Sequence, residues 1–296
     1  MVLPTRVEAR PTTATGLEWG RAYLMCPPTH FRVAYEINPW MHTDVEVDGD
    51  RAHEQWHTLR ALLEQAGATV CEMVPQPGLP DMVFTANAGT VVGTRAVPAR
   101  FAHRERRGET DHDRRWFARE GFEVADLPSD VCQEGAGDAL PAPGTRALVA
   151  GHGIRSTRSG VGVLARSLGI AVHPVRLVDP RLYHLDLAYC PLDTRRAMVV
   201  PGAFDVSGRR TLERLVPEPL LLEDVEAVTF CANSLVVGDV VVMPACPPRV
   251  GRWLEGAGFD VAVVDTSEFM KAGGACRCLT LPLDIGVVEA SFGVAA

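Results

Sequence analysis

A chain of 296 residues with a formal net charge of −8 is a poor partner for nucleic acid or an anionic membrane surface, because both repel it. Hydrophobic residues make up 47% and charged residues 22%, the proportions of a globular protein with a full core. No apolar run approaches the roughly 20 residues of a membrane span. The eight cysteines, at 26, 71, 132, 190, 231, 246, 276 and 278, are too scattered for a disulfide scaffold and form no C-x-x-C zinc pair. Reduced thiols and a cytoplasmic setting follow.

Residues 1–20, beginning MVLPTRVEARPTTATG, read as a loose leader, and 21–296 as one domain. Met25 to Trp40 begin as a strand and end in a turn at Asn38-Pro39. Residues 51–66 place Trp56, Leu59, Leu62 and Leu63 at helical spacing, and Gly67 stops the helix. ATVCEMV then alternates as a strand, and LPDMVFTANAGTVVG follows with Asp81 at its head. Segment 95–115, RAVPARFAHRERRGETDHDRR, shows no apolar periodicity and reads as solvated surface, or else as a lid or substrate clamp. QEGAGD at 133–138 is a Gly turn, and YHLDL at 183–187 alternates, which predicts a strand with His184 and Asp186 on one side. In KAGGACRCLTLP, 271–282, a Gly pair turns the chain into a cysteine beside Arg277 and then a short buried strand. A cation next to a thiol predicts a depressed pKa and a reactive thiolate, for which Cys276 and Cys278 compete.

Part of the chain repeats. MVFTANAGTVVG at 82–93 and AVTFCANSLVVG at 227–238 share F-x-A-N and then V-V-G at the same offset. Polar turns at Asn38, Asn87, Asp138, Asp186, Asn233 and Cys278 recur at intervals of 45 to 51 residues. Each unit reads as strand, polar turn, strand, helix, strand, and such a unit can bury its sheet only beside its copies. The expected architecture is α/β, with about five copies closed into a ring whose turns face one cavity. A doubly wound sheet is the alternative, but its Gly-rich phosphate turn is missing.

If the turns converge, the cavity collects Asp81, Asn87, Glu134, Asp138, His184, Asp186 and a cysteine. Taken singly, Asp and Asn cap their own turns and a strand His is structural. His-x-Asp could be two metal ligands, but no third nitrogen or sulfur donor sits at ligand spacing. As a set these residues make an acidic pocket around a nucleophile, which suits a guanidinium. Carboxylates hold the planar cation, the thiolate adds to its carbon, and the His protonates the departing amine and then takes a proton from water. A Cys–His pair would also serve a peptidase, which has no use for several carboxylates.

These residues resemble the guanidino-group-modifying, or pentein, superfamily, which includes arginine deiminases, dimethylargininases, amidinotransferases and arginine dihydrolases. The resemblance runs from about Asn38 to Pro282 and implies five ββαβ units around a central active site. RCLTLP is similar to that family's nucleophile motif, a Gly pair before a Cys that is followed by Leu, Met or Trp and then Ser or Thr. It implies Cys278 as the nucleophile, with Cys276 two residues early. His184 matches the family's His, Asp186 a guanidinium ligand, and Glu134 the carboxylate that orients the His or binds the guanidinium. The inserted residue in Glu134-Gly135-Ala136-Gly137-Asp138 blurs the role of Asp138. Asp81 in Leu79-Pro80-Asp81 is implied near the substrate, and Arg100 and Arg155 at its carboxylate. Where deiminases and dimethylargininases place an acid, FTAN places Asn87, a neutral amide. With INPWM around Asn38, this is similar to arginine dihydrolases, which convert arginine to ornithine, two ammonia and carbon dioxide. The resemblance thus implies a cysteine hydrolase of a small-molecule guanidine, working through a thiouronium-type adduct without metal or cofactor. Arginine is the first substrate, dimethylarginine the second, and amidino transfer the third reading. Ribosome-binding relatives lack the Cys, His and carboxylates, all of which stand here. Neither nucleic acid nor membrane is expected as a partner, and a homo-oligomer is left open.

Overall fold

The computed structural model describes residues 16–287, so the first fifteen residues of the expected leader lie outside it. Among the described residues, five three-stranded sheets share one construction. They are Gly89–Val92, Arg95–Pro98 and Glu123–Val124; Ala139–Pro141, Ala147–His152 and Ala171–Arg176; Tyr189–Pro191, Arg196–Val199 and Glu218–Leu221; Leu235–Val237, Val240–Met243 and Asp260–Val263; and Leu281–Pro282, Ala22–Met25 and Thr69–Glu72. The first two strands of each are antiparallel and the second and third parallel. An antiparallel step needs only a tight turn, whereas a parallel step needs a crossover. That crossover is a helix in every unit: Glu109–Arg119, Arg158–Leu168, Val206–Leu215, Pro248–Gly256 or Gly49–Gln65.

Burial runs across each sheet. The first strands GTVV, ALP, YCP, LVV and LP are buried at every position, which is why they lack polar alternation. The third strands, such as TVCE and EPLL, are largely exposed. Leu281 and Pro282 pair with Leu24 and Tyr23, so one sheet is assembled from opposite ends of the chain. Leu17–Glu18 pairs with Gly286–Val287 in a separate two-stranded ladder. No helix among the described residues is long and apolar enough to cross a membrane.

The segments just before the first strands are bonded to one another in sequence. Asn87 Nδ2 donates to Glu134 O at 2.8 Å, and Leu185 N donates to Asp138 Oδ1 at 3.0 Å. Asn233 Nδ2 donates to Asp186 O at 3.2 Å, and Cys278 N donates to Asn233 Oδ1 at 3.2 Å. Ala86 N donates to Cys278 O at 3.1 Å, which closes the circuit.

Four expectations need correction. Both antiparallel strands follow the polar turn, so the repeat reads turn, strand, strand, helix, strand. Asn38 belongs to none of the five turns, since it lies between strand Ala22–Met25 and helix Gly49–Gln65. Segment 95–115 is not one irregular run: it opens with strand Arg95–Pro98 and enters helix Glu109–Arg119. The buried face of that helix is Glu109, Asp113, Trp116 and Phe117, a helical spacing that two carboxylates hid from an apolar count. YHLDL is not a strand, because Leu185–Leu187 forms a single 3-10 turn buried throughout.

Candidate active site

One small cleft is lined by residues from these turns and from the loops before the helices. Cys278 stands in it on a turn before Leu281–Pro282, not at a strand start. Two glycines allow its loop to come this close. A Cβ on Gly273 (φ +82°) would lie 2.8 Å from Asn38 Oδ1, and one on Gly274 would lie 2.4 Å from the Phe84 ring.

Asn233, absent from the expected site, organises this loop. Its Oδ1 accepts the N–H groups of Ala275, Arg277 and Cys278 at 3.2, 3.1 and 3.2 Å. Its Nδ2 donates to Cys278 Sγ at 3.1 Å. The F-x-A-N repeat marks the position in the sequence, but only the turn-to-turn contact reveals its task. The thiol itself donates to Asp186 Oδ2 at 3.3 Å. Burial, and then the neighbouring Asp186, push the Cys278 thiol well above its usual range. This corrects the expectation of a thiolate activated by Arg277, whose side chain lines a different cleft. Cys276 is fully buried, does not line this cleft, and is likewise pushed up by burial.

His184 Nε2 meets Glu134 Oε2 at 2.8 Å, and Arg155 Nη1 donates to the same oxygen at 3.1 Å. The other oxygen, Oε1, accepts Ala102 N at 2.9 Å. Burial would raise Glu134, but Arg155, with His184 and Arg106, overrides it and holds the carboxyl well below the usual range. A carboxylate on Nε2 sets the ring's orientation. Gly137 leaves the space beside the ring open: a Cβ there would lie 2.5 Å from Asn87 Nδ2 and 3.6 Å from His184 Nδ1.

Arg106 is the second residue the sequence reading missed. It is 3% exposed and lines the cleft. Its guanidinium donates to Glu109 through Nε and Nη2 at 2.9 and 2.8 Å, to Asn87 Oδ1 at 2.9 Å and to Asp81 O at 3.1 Å. The Arg–Glu spacing of three residues at a helix start was the available signal, lost inside a charged run. Asn87 is therefore committed at both ends, to Arg106 and to Glu134 O, rather than offering its amide to a ligand. Arg155 donates also to Ile37 O at 2.8 Å and stacks over Tyr183, 4.6 Å from the ring centre.

The buried Asp81 Oδ1 makes no hydrogen bond of good geometry although the Tyr35 hydroxyl lies beside it, and burial raises the Asp81 pKa against the pull of Arg106 and of that hydroxyl. Asp186 Oδ1 is likewise unpartnered, and burial lifts this carboxyl to about 7 against the pull of Arg277. Asn38 lines the cleft but spends its amide on Ala272 O and Trp40 N, bracing its turn against the loop before Cys278. Two expected residues lie elsewhere. Asp138 accepts Ser156 Oγ at 2.6 Å and Leu185 N at 3.0 Å, so it ties turns together and does not line the cleft. Arg100 donates to Ser129 O and lines an outer cleft with Arg114 and Asp126. The cation that this loop delivers inward is Arg106, six residues later.

No family model matches the chain. It is 44% identical over 262 residues to the bifunctional arginine dihydrolase/ornithine cyclodeaminase AgrE of a Nostoc species, covering 88% of this chain and 37% of that protein. The chain thus spans well under half the length of its bifunctional relatives. It is 38% identical over 263 residues to the N(G),N(G)-dimethylarginine dimethylaminohydrolase of Mycobacterium tuberculosis, covering 89% of this chain and 86% of that one. Its structure matches the N-terminal domain of ArgZ, a cyanobacterial arginine dihydrolase solved as a Cys-to-Ser variant bound to substrate. The TM-score is 0.88 at 40% identity, covering 90% of this chain and 99% of that domain. The same domain was solved as an Asn-to-Ser variant covalently bound to a reaction intermediate.

Proposed function

Because the chain belongs to the family of arginine dihydrolases and dimethylarginine dimethylaminohydrolases, we propose that its cleft hydrolyses the guanidine group of free arginine to give ornithine, two ammonia and carbon dioxide. The observation that carries this reading is the two-signed lining around one thiol. Buried Arg155 and Arg106 suit the carboxylate of an amino acid, while Asp81 in the lining, and Asp186 behind it on the Cys278 sulfur, suit its cations. The solved ArgZ complexes and the closed circuit of turns support the same reading. We propose as well that the repeated sheets close into a five-bladed ββαβ ring, the pentein arrangement, as a single domain over 21–296.

In this scheme Cys278 is the nucleophile, His184 the proton carrier and Glu134 the group that orients it. The protonated thiol of the free cleft is an asset. A guanidinium entering beside Asp186 brings the positive charge that favours the thiolate, so reactivity appears with the substrate. Cys278 gives its proton to His184 and its Sγ adds to the guanidinium carbon, and His184 passes that proton to the departing nitrogen as the first C–N bond breaks. Ammonia leaves a thiouronium on the sulfur. Water then attacks that carbon, its proton passing to His184, and the C–S bond breaks to give a ureido group. A second addition of Cys278 and a second water release the remaining ammonia, carbon dioxide and ornithine. Asn87, held neutral between Arg106 and Glu134, leaves the cleft with one charge fewer than an acid there would, which suits retention of an uncharged ureido group.

The dimethylarginine reading is favoured by one observation, the 38% identity to a dimethylaminohydrolase of similar length. Product analysis separates the two. Ornithine with two ammonia per arginine supports the proposal. Citrulline as the accumulating product from arginine overturns the double hydrolysis, and dimethylamine from dimethylarginine alone establishes the second reading.

A further inference from the structure

Arg277 is a buried cation to which neither the cleft nor the circuit of turns gives a partner. It is 5% exposed, yet none of its guanidinium nitrogens has a hydrogen-bond acceptor among the described residues, and Nε is sealed from solvent without one. The comparison within the same molecule is sharp. Arg106 and Arg155, buried to the same degree, are bonded to carboxylates and carbonyls. Leaving the Nε of a charged guanidinium sealed from solvent without an acceptor is costly, and buried polar groups in folded proteins find a partner in protein, water or a bound ion.

The cleft that Arg277 lines lies among the first strands of three units, at Pro141, Tyr189, Cys190, Ser234 and Val236. No carboxylate lines it. The hydroxyl protons around it are already spent: Tyr23 on Val236 O at 3.2 Å, Tyr189 on Pro141 O at 2.8 Å and Ser234 on Cys231 O at 2.6 Å. There is room for little more than one water-sized particle. The carboxylate that feels Arg277 is Asp186, which is engaged with the Cys278 thiol and lifted by burial to about 7. A neutral water would fill the space but leave the charge unbalanced in a low dielectric, whereas a monatomic anion meets both demands.

We propose that Arg277 holds a small inorganic anion of chloride's size and charge in this cleft, one residue along the chain from the nucleophile. The site is distinct from the catalytic cleft, and its test uses no turnover. The full chain is crystallised in bromide and the anomalous signal recorded, and chloride binding in solution is followed by the line width of the ³⁵Cl resonance. The expected result is a bromide peak within hydrogen-bond reach of the Arg277 guanidinium and a saturable chloride broadening that bromide competes away. In Arg277→Met, checked for folding by circular dichroism, the affinity falls at least about tenfold, the weight of one charged hydrogen bond. Should that variant fail to fold, the bromide map and competition on the natural chain decide alone. Water or protein atoms in place of bromide overturn the proposal. So does a peak without saturable binding in solution, which would mean an adventitious ion only.

Discussion

The Asn233 side chain bonds the Cys278 loop at four points, and its substitution separates two roles. Asn233→Ala removes the acceptor of the Ala275 and Cys278 N–H groups, while Arg277 N keeps Asn233 O at 3.1 Å. Two buried donors left unpaired at about 1–3 kcal/mol each make a loss of roughly 2–6 kcal/mol. That is a large share of the about 5–15 kcal/mol that holds a typical domain folded. Asn233→Asp keeps the acceptor oxygens and deletes the amide N–H that meets Cys278 Sγ at 3.1 Å. A hydrogen bond to a charged sulfur is worth about 1.5–3 kcal/mol, so the thiolate population at fixed pH should fall roughly ten- to a hundredfold. The assay is the rate of iodoacetamide alkylation against pH, read at Cys278 by peptide mass spectrometry because Cys71 is exposed. Urea unfolding is run alongside. Asn233→Asp should shift the alkylation profile upward by about 1–2 pH units and unfold later than Asn233→Ala. An Asn233→Asp profile superimposable on that of the natural chain would refute the argument.

Three further outcomes follow from the same geometry. His184→Asn keeps a side chain of polar character but no proton carrier, and kcat on arginine should drop by about 10²- to 10⁴-fold, so unchanged turnover would remove His184 from the mechanism. Arg106→Met takes the ion-pair partner from buried Glu109 and leaves Asp81 with only the pull of Arg155, and urea unfolding should show a loss of about 3–5 kcal/mol, with a loss below about 1 kcal/mol contradicting the assigned network. The Asp186 carboxyl titrates near 7 in the folded chain, above its ordinary value, so folding favours its protonated form. Its contribution is fully present below the ordinary carboxylate range and is lost as pH rises towards 7. Asp186→Asn abolishes that loss, so the variant should gain on the natural chain by up to about 1.4 kcal/mol per pH unit between about pH 4.5 and 7. A stability difference independent of pH would show that Asp186 does not hold a proton in the folded state.

How much of this was legible in the chain depends on the range of the interaction involved. The helix over 49–65 could be read because Trp56, Leu59 and Leu63 all face the same core, so the pattern and the burial agree. Of the helix over 109–119 only the half with Trp116 and Phe117 carries an apolar signal, and its start was hidden because its inward face carries Glu109 and Asp113, which only Arg106 and the surrounding fold make tolerable. Side-chain direction was also invisible. Arg277 is one residue from Cys278 and turns to another cleft, while Asp186, 92 residues away, reaches the sulfur. Asp138 looked like a site acid because it is an aspartate in a Gly turn, but Ser156 and Leu185 N use both of its oxygens. Composition, the F-x-A-N repeat and the Gly-rich approach to Cys278 were enough for the α/β repeat and for a thiol, a His and carboxylates as candidate chemistry. They are local patterns, written in one stretch of chain at a time. Which cation enters the cleft, which way each amide points and whether the resting thiol carries its proton depend on groups brought together from different units, and only the tertiary structure decides them.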